Sequence, residues 1–382
     1  MPVRRAGDGT ANLIAAGFAL TAVTYGLARF AYGLFLPQIR DELGLGTVTA
    51  GWIGSAAFVS YCIAVVAAFL AMPRWGARRV GLAAGCCATA GLALVAVAGS
   101  AFPLGVAIAL AGVSTGLASP PLAATVAQTV RAAGRPRANG TINAGTAAGI
   151  MLSGLGALVF ADAWRELYVA FAGIGAAVTL WLWQAVPAGT GAGPLPPRPR
   201  VWRQGLIPLF IAAAFMGAAS TTVWTFGAEI LRRDADFQER HVAVAWMVLG
   251  AVGVAGVVTG SGTDRFGIGT IHRLSLALMS VALGGLAVSS LSATLPFVAM
   301  GMFGAGYMIS TGALLLWGIT LFPERPDIGL GLPFLMIAVG QAAGAPIFAM
   351  ILDHAGTTTA LGVAISVMVC AAIPRPRTHR VA

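Results

Sequence analysis

The sequence predicts an all-α membrane protein of twelve transmembrane helices in two pseudo-symmetric six-helix bundles. Three observations carry this. Of 382 residues, 58% are hydrophobic and only 9% are charged, against roughly 25% charged in an ordinary soluble domain. Apolar runs long enough for a bilayer core, which needs about 20 residues per helix, recur from residue 12 almost to the end. The two halves can also be laid over one another at an offset of 191 residues.

The runs fall at 12–37, 50–72, 80–99, 102–125, 140–161, 165–186, 205–228, 241–262, 271–292, 294–318, 328–351 and 356–373. The first follows Arg4 and Arg5 and so mimics a secretory signal, but it continues through Arg29 to Pro37 and reads as a retained helix. Trp164 and Arg165, after Asp162, sit at the turn between spans five and six, where an ion pair or a cap would organise the chain. The longest polar connection, VPAGTGAGPLPPRPRVWR, is rich in Pro and Gly and reads as a semi-rigid linker. It divides the chain into an N-terminal bundle (1–186), a cytoplasmic linker (187–204) and a C-terminal bundle (205–382). After span seven, Arg232, Arg233 and Arg240 interleave with Asp234, Asp236 and Glu239 as a solvated loop.

With the N-terminus inside, seventeen arginines fall in cytoplasmic segments and five in outside loops. That asymmetry orients the chain with both termini in the cytoplasm; a bacterial inner membrane is the expected setting. The net charge of +10 comes from 23 basic residues, all arginine, with no dense tract or aromatic-interleaved patch for nucleic acid. Cys62, Cys86, Cys87 and Cys370 lie inside apolar runs without ligand spacing and read as packing residues. No P-loop occurs. His241, His272, His354 and His379 are scattered at membrane edges and the tail, so no grouped catalytic chemistry is expected. The sequence calls for no cofactor, no metal and no nucleic-acid partner.

The repeat is visible in matched motifs. Gly140 and Gly149 pair with Gly331 and Gly340, Asp162 with Asp353, and Arg74–Gly76 (RWG) with Arg265–Gly267 (RFG). A duplicated six-helix unit with a central linker is the architecture in which two bundles rock about a site near the bilayer midplane. GSGTDRFG, Gly260–Gly267, resembles the loop signature G-x-x-x-D-R-x-G of the major facilitator superfamily. A degraded copy lies between spans two and three, LAMPRWGARR, with Phe69 and Pro73 in place of the glycine and aspartate. Span eleven carries G-x8-G-x3-G-A-P from Gly331 to Pro346, similar to the family's antiporter signature, though that signature belongs in span five. Arg29, Phe30, Tyr32, Leu36 and Pro37 resemble a bacterial permease branch of the same family. The resemblance implies a monomeric transporter working by alternating access. It also implies a cytoplasmic latch built on Asp264, Arg265 and Gly267, with Arg74 and Gly76 in the degraded copy. Repeat symmetry directs the latch toward Asn139–Asn143.

Arg29 is the residue that most needs an explanation. An arginine near a helix centre costs about 2.5–3.5 kcal/mol on insertion scales, and Pro37 lies eight residues, about 12 Å, away. A period of 3.6 places Tyr25, Arg29 and Tyr32 on one face, a stripe that should meet protein or water. The resemblance places spans one, four, seven and ten around a central cavity. At similar depth stand Tyr61, Ser114, Thr115, Thr221, Trp224, Tyr307 and Gln341. No Asp or Glu lies mid-span, so the guanidinium is met either by carbonyls and water or by an anionic substrate.

The expected function is therefore secondary transport of a small organic solute, anionic or amphipathic, with Arg29, Tyr25, Tyr32, Tyr61, Thr221, Trp224, Tyr307 and Gln341 as substrate-binding residues. Membrane lipid is the solvent, and protons are a candidate coupling ion. The alternatives are a proton-coupled multidrug exporter and, from another class, a non-transporting membrane sensor.

Overall fold

The computed structural model describes residues 6–160, 163–189 and 202–376, and every regular element among them is a helix. Asp162, most of the 187–204 linker and His379 lie outside the described residues. Two compact units emerge: residues Met1–Leu45 with Trp52–Pro196, and Gly46–Gly51 with Pro197–Ala382.

The first unit opens with α1 (Ala6–Thr21), which runs through a π-helical stretch (Ala22–Phe30) into α2 (Ala31–Leu43). Pro37 lies inside α2 rather than ending it, and the stop comes at Gly44 with φ 63°. Then follow α3 (Thr47–Val97), α4 (Ala101–Thr129), α5 (Arg135–Val159) and α6 (Trp164–Ala185). The second unit has α7 (Leu206–Trp224), α8 (Gly227–Asp234), α9 (Glu239–Gly253), a 3₁₀ turn and α10 (Thr259–Phe266). Helices α11 (Ile268–Ala287), α12 (Leu295–Leu321) and α13 (Pro326–Ala372) complete it.

Ten helices among the described residues are long and apolar enough to cross a membrane. Two are far longer than one crossing. At 51 residues, α3 would extend roughly 76 Å if continuous, but Gly76 breaks it with φ 74° and ψ 164°. In α13 the break is Gly356, φ 77° and ψ 173°. Gly267, between α10 and α11, has φ 82° and ψ 149°. Gly76 and Gly267 are 191 residues apart and share one backbone conformation, closed to L side chains because their Cβ would strike the carbonyl. The RWG and RFG motifs are thus the same reversal made twice.

The stretch expected as a solvated loop after span seven is folded. It holds α8, Arg232 pairs with Glu239 at 3.5 Å, and Asp234 accepts a 2.8 Å hydrogen bond from Thr357. An apolar helix end followed by alternating charges can close on itself through ion pairs, which composition does not reveal.

Within the first unit the helices meet where side chains are absent. A Cβ on Gly26 would stand 2.3 Å from the Gly149 Cα, and one on Gly149 would stand 2.2 Å from the Ala22 carbonyl oxygen. Such contact is how membrane helices gain packing when lipid is as apolar as they are. At the turn before α6, Arg165 donates to Glu42 at 2.7 Å and to the carbonyls of Ala96 and Ala98 at 2.7 and 2.8 Å. Trp164 donates to the other Glu42 oxygen at 2.7 Å. The WR pair supplies both an ion pair and a cap.

Candidate functional site

In the first unit the site is built on the π-helical stretch. Its wider turns close through i→i+5 bonds, as in the Ala31 N–H to Gly26 carbonyl bond. The Thr115 hydroxyl on α4 donates to the Thr24 carbonyl at 2.9 Å, giving this backbone a partner outside its own helix. Tyr25 Oη and Ser119 Oγ are 2.8 Å apart.

Arg29 is 8% exposed. Its guanidinium carbon lies 4.8 Å from the ring centroids of both Phe58 and Tyr61, 5.3 Å from Phe30 and 5.9 Å from Tyr25. Cation–π attraction contributes about 0.5–1 kcal/mol per exposed contact and about 2 when desolvated, so several rings together offset much of the cost of burial. Of the residues expected around Arg29, Tyr25 and Tyr61 are brought to it. Tyr32, placed on the same face by a 3.6-residue period, is 3% exposed with Tyr168 and Arg40 as electrostatic neighbours. A π-helical segment shifts the phase of everything after it, which a uniform helical wheel cannot anticipate. Phe58 was legible as the i−3 neighbour of Tyr61 on one helix, and Ser119 as the i+4 neighbour of Thr115.

The second unit assembles a neutral cluster. Trp224 lies edge-on to Tyr307 at 5.0 Å between centroids, to Phe303 at 6.0 Å and to Trp246 at 6.3 Å. Gln341 donates to Ser220 Oγ at 3.2 Å and to Tyr307 Oη at 3.4 Å. Thr221 donates to the Ala218 carbonyl at 2.7 Å. So Trp224, Tyr307 and Gln341 are in one group, with Thr221 beside Ser220 on α7. Phe303 could have been found as the i−4 neighbour of Tyr307. His272, expected at a membrane edge, is 1% exposed and shares a 3.0 Å contact with Ser310 Oγ through Nδ1.

Two bundles of apolar helices, a duplicated glycine reversal and a buried arginine on the first helix narrow the field. A profile of the Major Facilitator Superfamily matches residues 18–332. The chain belongs to this superfamily. It is a transporter by family, and not an enzyme.

Among curated proteins, the "Transcription regulatory protein OpdE" of Pseudomonas aeruginosa is 24% identical over 84% of this chain and 82% of its own length. Among solved structures, the nucleoside transporter NupG in a mutant form matches at TM-score 0.78 and 12% identity, over 94% of this chain and 98% of its own. A D-xylose-proton symporter matches at TM-score 0.78 and 14% identity, over 95% and 96%. A bacterial homolog of the human lysosomal transporter Spinster matches at 0.75 and 14%, over 95% of each chain. These likenesses show the superfamily fold.

The superfamily's loop residues occupy the two reversals. Asp264 and Arg265 are exposed at the end of α10, with the Arg265 guanidinium 5.1 Å from the Phe266 ring, and Gly267 makes the turn. In the degraded copy Arg74 is exposed and Gly76 makes the turn.

Proposed function

We propose that this chain is a secondary transporter that moves a small organic anion by alternating access of two bundles, with Arg29 as the electrostatic anchor for the solute. Reading α3 and α13 as two spans each, at Gly76 and Gly356, turns the ten apolar helices into twelve spans. The arginine asymmetry supports cytoplasmic termini, and the resemblance to a bacterial permease branch supports a bacterial inner membrane. Tyr25 and Tyr61 hold Arg29 in place, Thr221, Trp224, Tyr307 and Gln341 supply neutral contacts to the solute, and the Asp264–Gly267 loop latches the cytoplasmic side.

The observation that supports this reading is the seating of Arg29 among aromatic rings. A guanidinium carries planar N–H donors that match a carboxylate or phosphate in bidentate geometry. The test is counterflow in proteoliposomes with anionic, neutral and cationic organic probes, comparing wild type with Arg29→Ala and Arg29→Lys. Anion exchange that depends on the guanidinium supports the reading. Transport restricted to cationic or neutral amphiphiles and indifferent to Arg29 replaces it with the proton-coupled multidrug exporter.

One observation favours a second reading. The relative OpdE is named a transcription regulatory protein, so a chain like this one could act on transcription as a membrane sensor, or through the solute it moves. Transcript profiles of cells carrying wild type, Arg29→Ala or no copy separate the two. A sensor changes transcription in cells whose vesicles show no counterflow with any probe.

A further inference from the structure

A second place on the molecule, apart from Arg29, has the chemistry of a binding site. At the end of the first unit that carries the Gly76 reversal, a cavity of about 370 Å³ opens between the start of the helix after Gly76 and the end of α6. Ligand pockets begin at about this size. Arg78, Trp183, Gln184 and Leu180 line it, with Val186 and Pro187 from the turn after α6. The Arg78 guanidinium carbon lies 5.7 Å from the Trp183 ring centroid. Arg78 is the one charged side chain among the lining residues, and Arg74 and Arg79, close to it in the sequence, are exposed. The cavity is therefore a cationic spot with an amide and an indole at hand, the donor set that suits a phosphate group.

The wall of this cavity decides between a soluble anion and an amphipathic one. Leu180 and Trp183 are 60% and 56% exposed. Val169, Gly173, Ala176 and Leu180 are all exposed at helical spacing on α6, making one outward stripe that ends at the cavity. On a membrane helix such a stripe meets acyl chains, and tryptophan settles at the headgroup level. From this geometry we infer that the Arg78 cavity binds the phosphate headgroup of an anionic phospholipid, with one acyl chain along the α6 stripe. Basic pockets between membrane helices are suited to such headgroups. The inference concerns a surface apart from Arg29 and stands whatever solute is carried.

The test titrates the purified full-length protein in detergent with dioleoyl phosphatidylglycerol, dioleoyl phosphatidylcholine or inorganic phosphate and follows thermal unfolding. Phosphatidylglycerol should raise the melting temperature of wild type more than phosphatidylcholine does. Arg78→Gln should remove at least about half of that lipid-specific rise, following the linkage between binding and stability, while Arg137→Gln, at another exposed arginine, keeps it. Quenching by brominated phosphatidylglycerol supplies a readout independent of stability: the quenched fraction should fall in Trp183→Phe. An unchanged phosphatidylglycerol rise in Arg78→Gln overturns the proposal. So does inorganic phosphate stabilising as strongly as the lipid, which makes the site one for a soluble anion. An equal drop in Arg78→Gln with and without lipid also overturns it, since Arg78 then serves only the stability of the fold.

Discussion

Gly26 and Gly149 of the first unit and Gly217 and Gly340 of the second stand 191 residues apart, and both pairs close the same kind of seam. A Cβ on Gly217 would lie 2.1 Å from the Ile337 carbonyl oxygen, and one on Gly340 would lie 1.9 Å from that of Ala214. Three residues beyond these glycines the units part company, with Arg29 in one and Ser220 in the other. The first unit surrounds its arginine with rings, and the second ties Ser220 to Gln341 and packs Trp224 against Tyr307. Backbone contact is intolerant of any added atom and so keeps both seams alike. Side chains beside those glycine contacts are free of that constraint and can differ in charge.

The comparison can be broken most severely by moving the charge. Ser220→Arg puts a second guanidinium into a fully buried neutral cluster, and an uncompensated buried charge costs about 3–5 kcal/mol. Chemical denaturation should show that loss, and a stable, transport-active Ser220→Arg would mean the two positions are interchangeable. Next comes Arg29→Ala, for which anion counterflow should fall by about 100-fold, in line with about 2–5 kcal/mol for a truncated buried charge contact. Arg29→Lys should recover only a small part, because an ammonium lacks the planar fork that meets a carboxylate in bidentate geometry.

Smaller effects sharpen the equivalence of the seams. Gly149→Ala and Gly340→Ala should each lower stability by about 1–3 kcal/mol through overpacking, and by similar amounts. A large loss in only one of them would show that the seams carry different loads. Gln341→Leu leaves Ser220 and Tyr307 without their amide partner and should cost about 0.5–1.5 kcal/mol, read as a modest drop in melting temperature.

The smallest effect lies outside the membrane spans. Arg203 donates a hydrogen bond to Glu324 and holds its carboxyl below the usual carboxylate range. A depressed folded-state pKa adds stability above the unfolded value near 4.5, and that stability is lost as pH falls through the folded value. Wild type should therefore melt slightly above Glu324→Gln at pH 7, with the gap closing below about pH 4.5. A gap that widens in acid would reverse the assignment.

Much of this was legible beforehand, for identifiable reasons. Arg29 stood out because a charge in an apolar run is expensive wherever the helix goes, and Trp224, Tyr307 and Gln341 because polar and aromatic groups are sparse at that depth. The pairing of RWG with RFG was in the sequence, and Gly76 and Gly267 share one backbone conformation. What could not be read was the company each residue keeps. Phe58 and Phe303 stand one turn from Tyr61 and Tyr307 in the sequence, but only neighbouring helices bring their rings to Arg29 and Trp224. Tyr32, grouped with Arg29 by a 3.6-residue period, has Tyr168 and Arg40 as electrostatic neighbours.

The sequence by itself determined the membrane setting, the apolar helices and the repeat that pairs RWG with RFG. Each depends only on transfer from water to lipid or on the order of residues along the chain. The tertiary structure alone decided that residues 22–30 wind as a π-helix and hence which rings surround the guanidinium. That choice rests on the closeness of Gly26 to Gly149 and on Thr115 reaching the Thr24 carbonyl from another helix, contacts between residues far apart in the chain that no local period encodes.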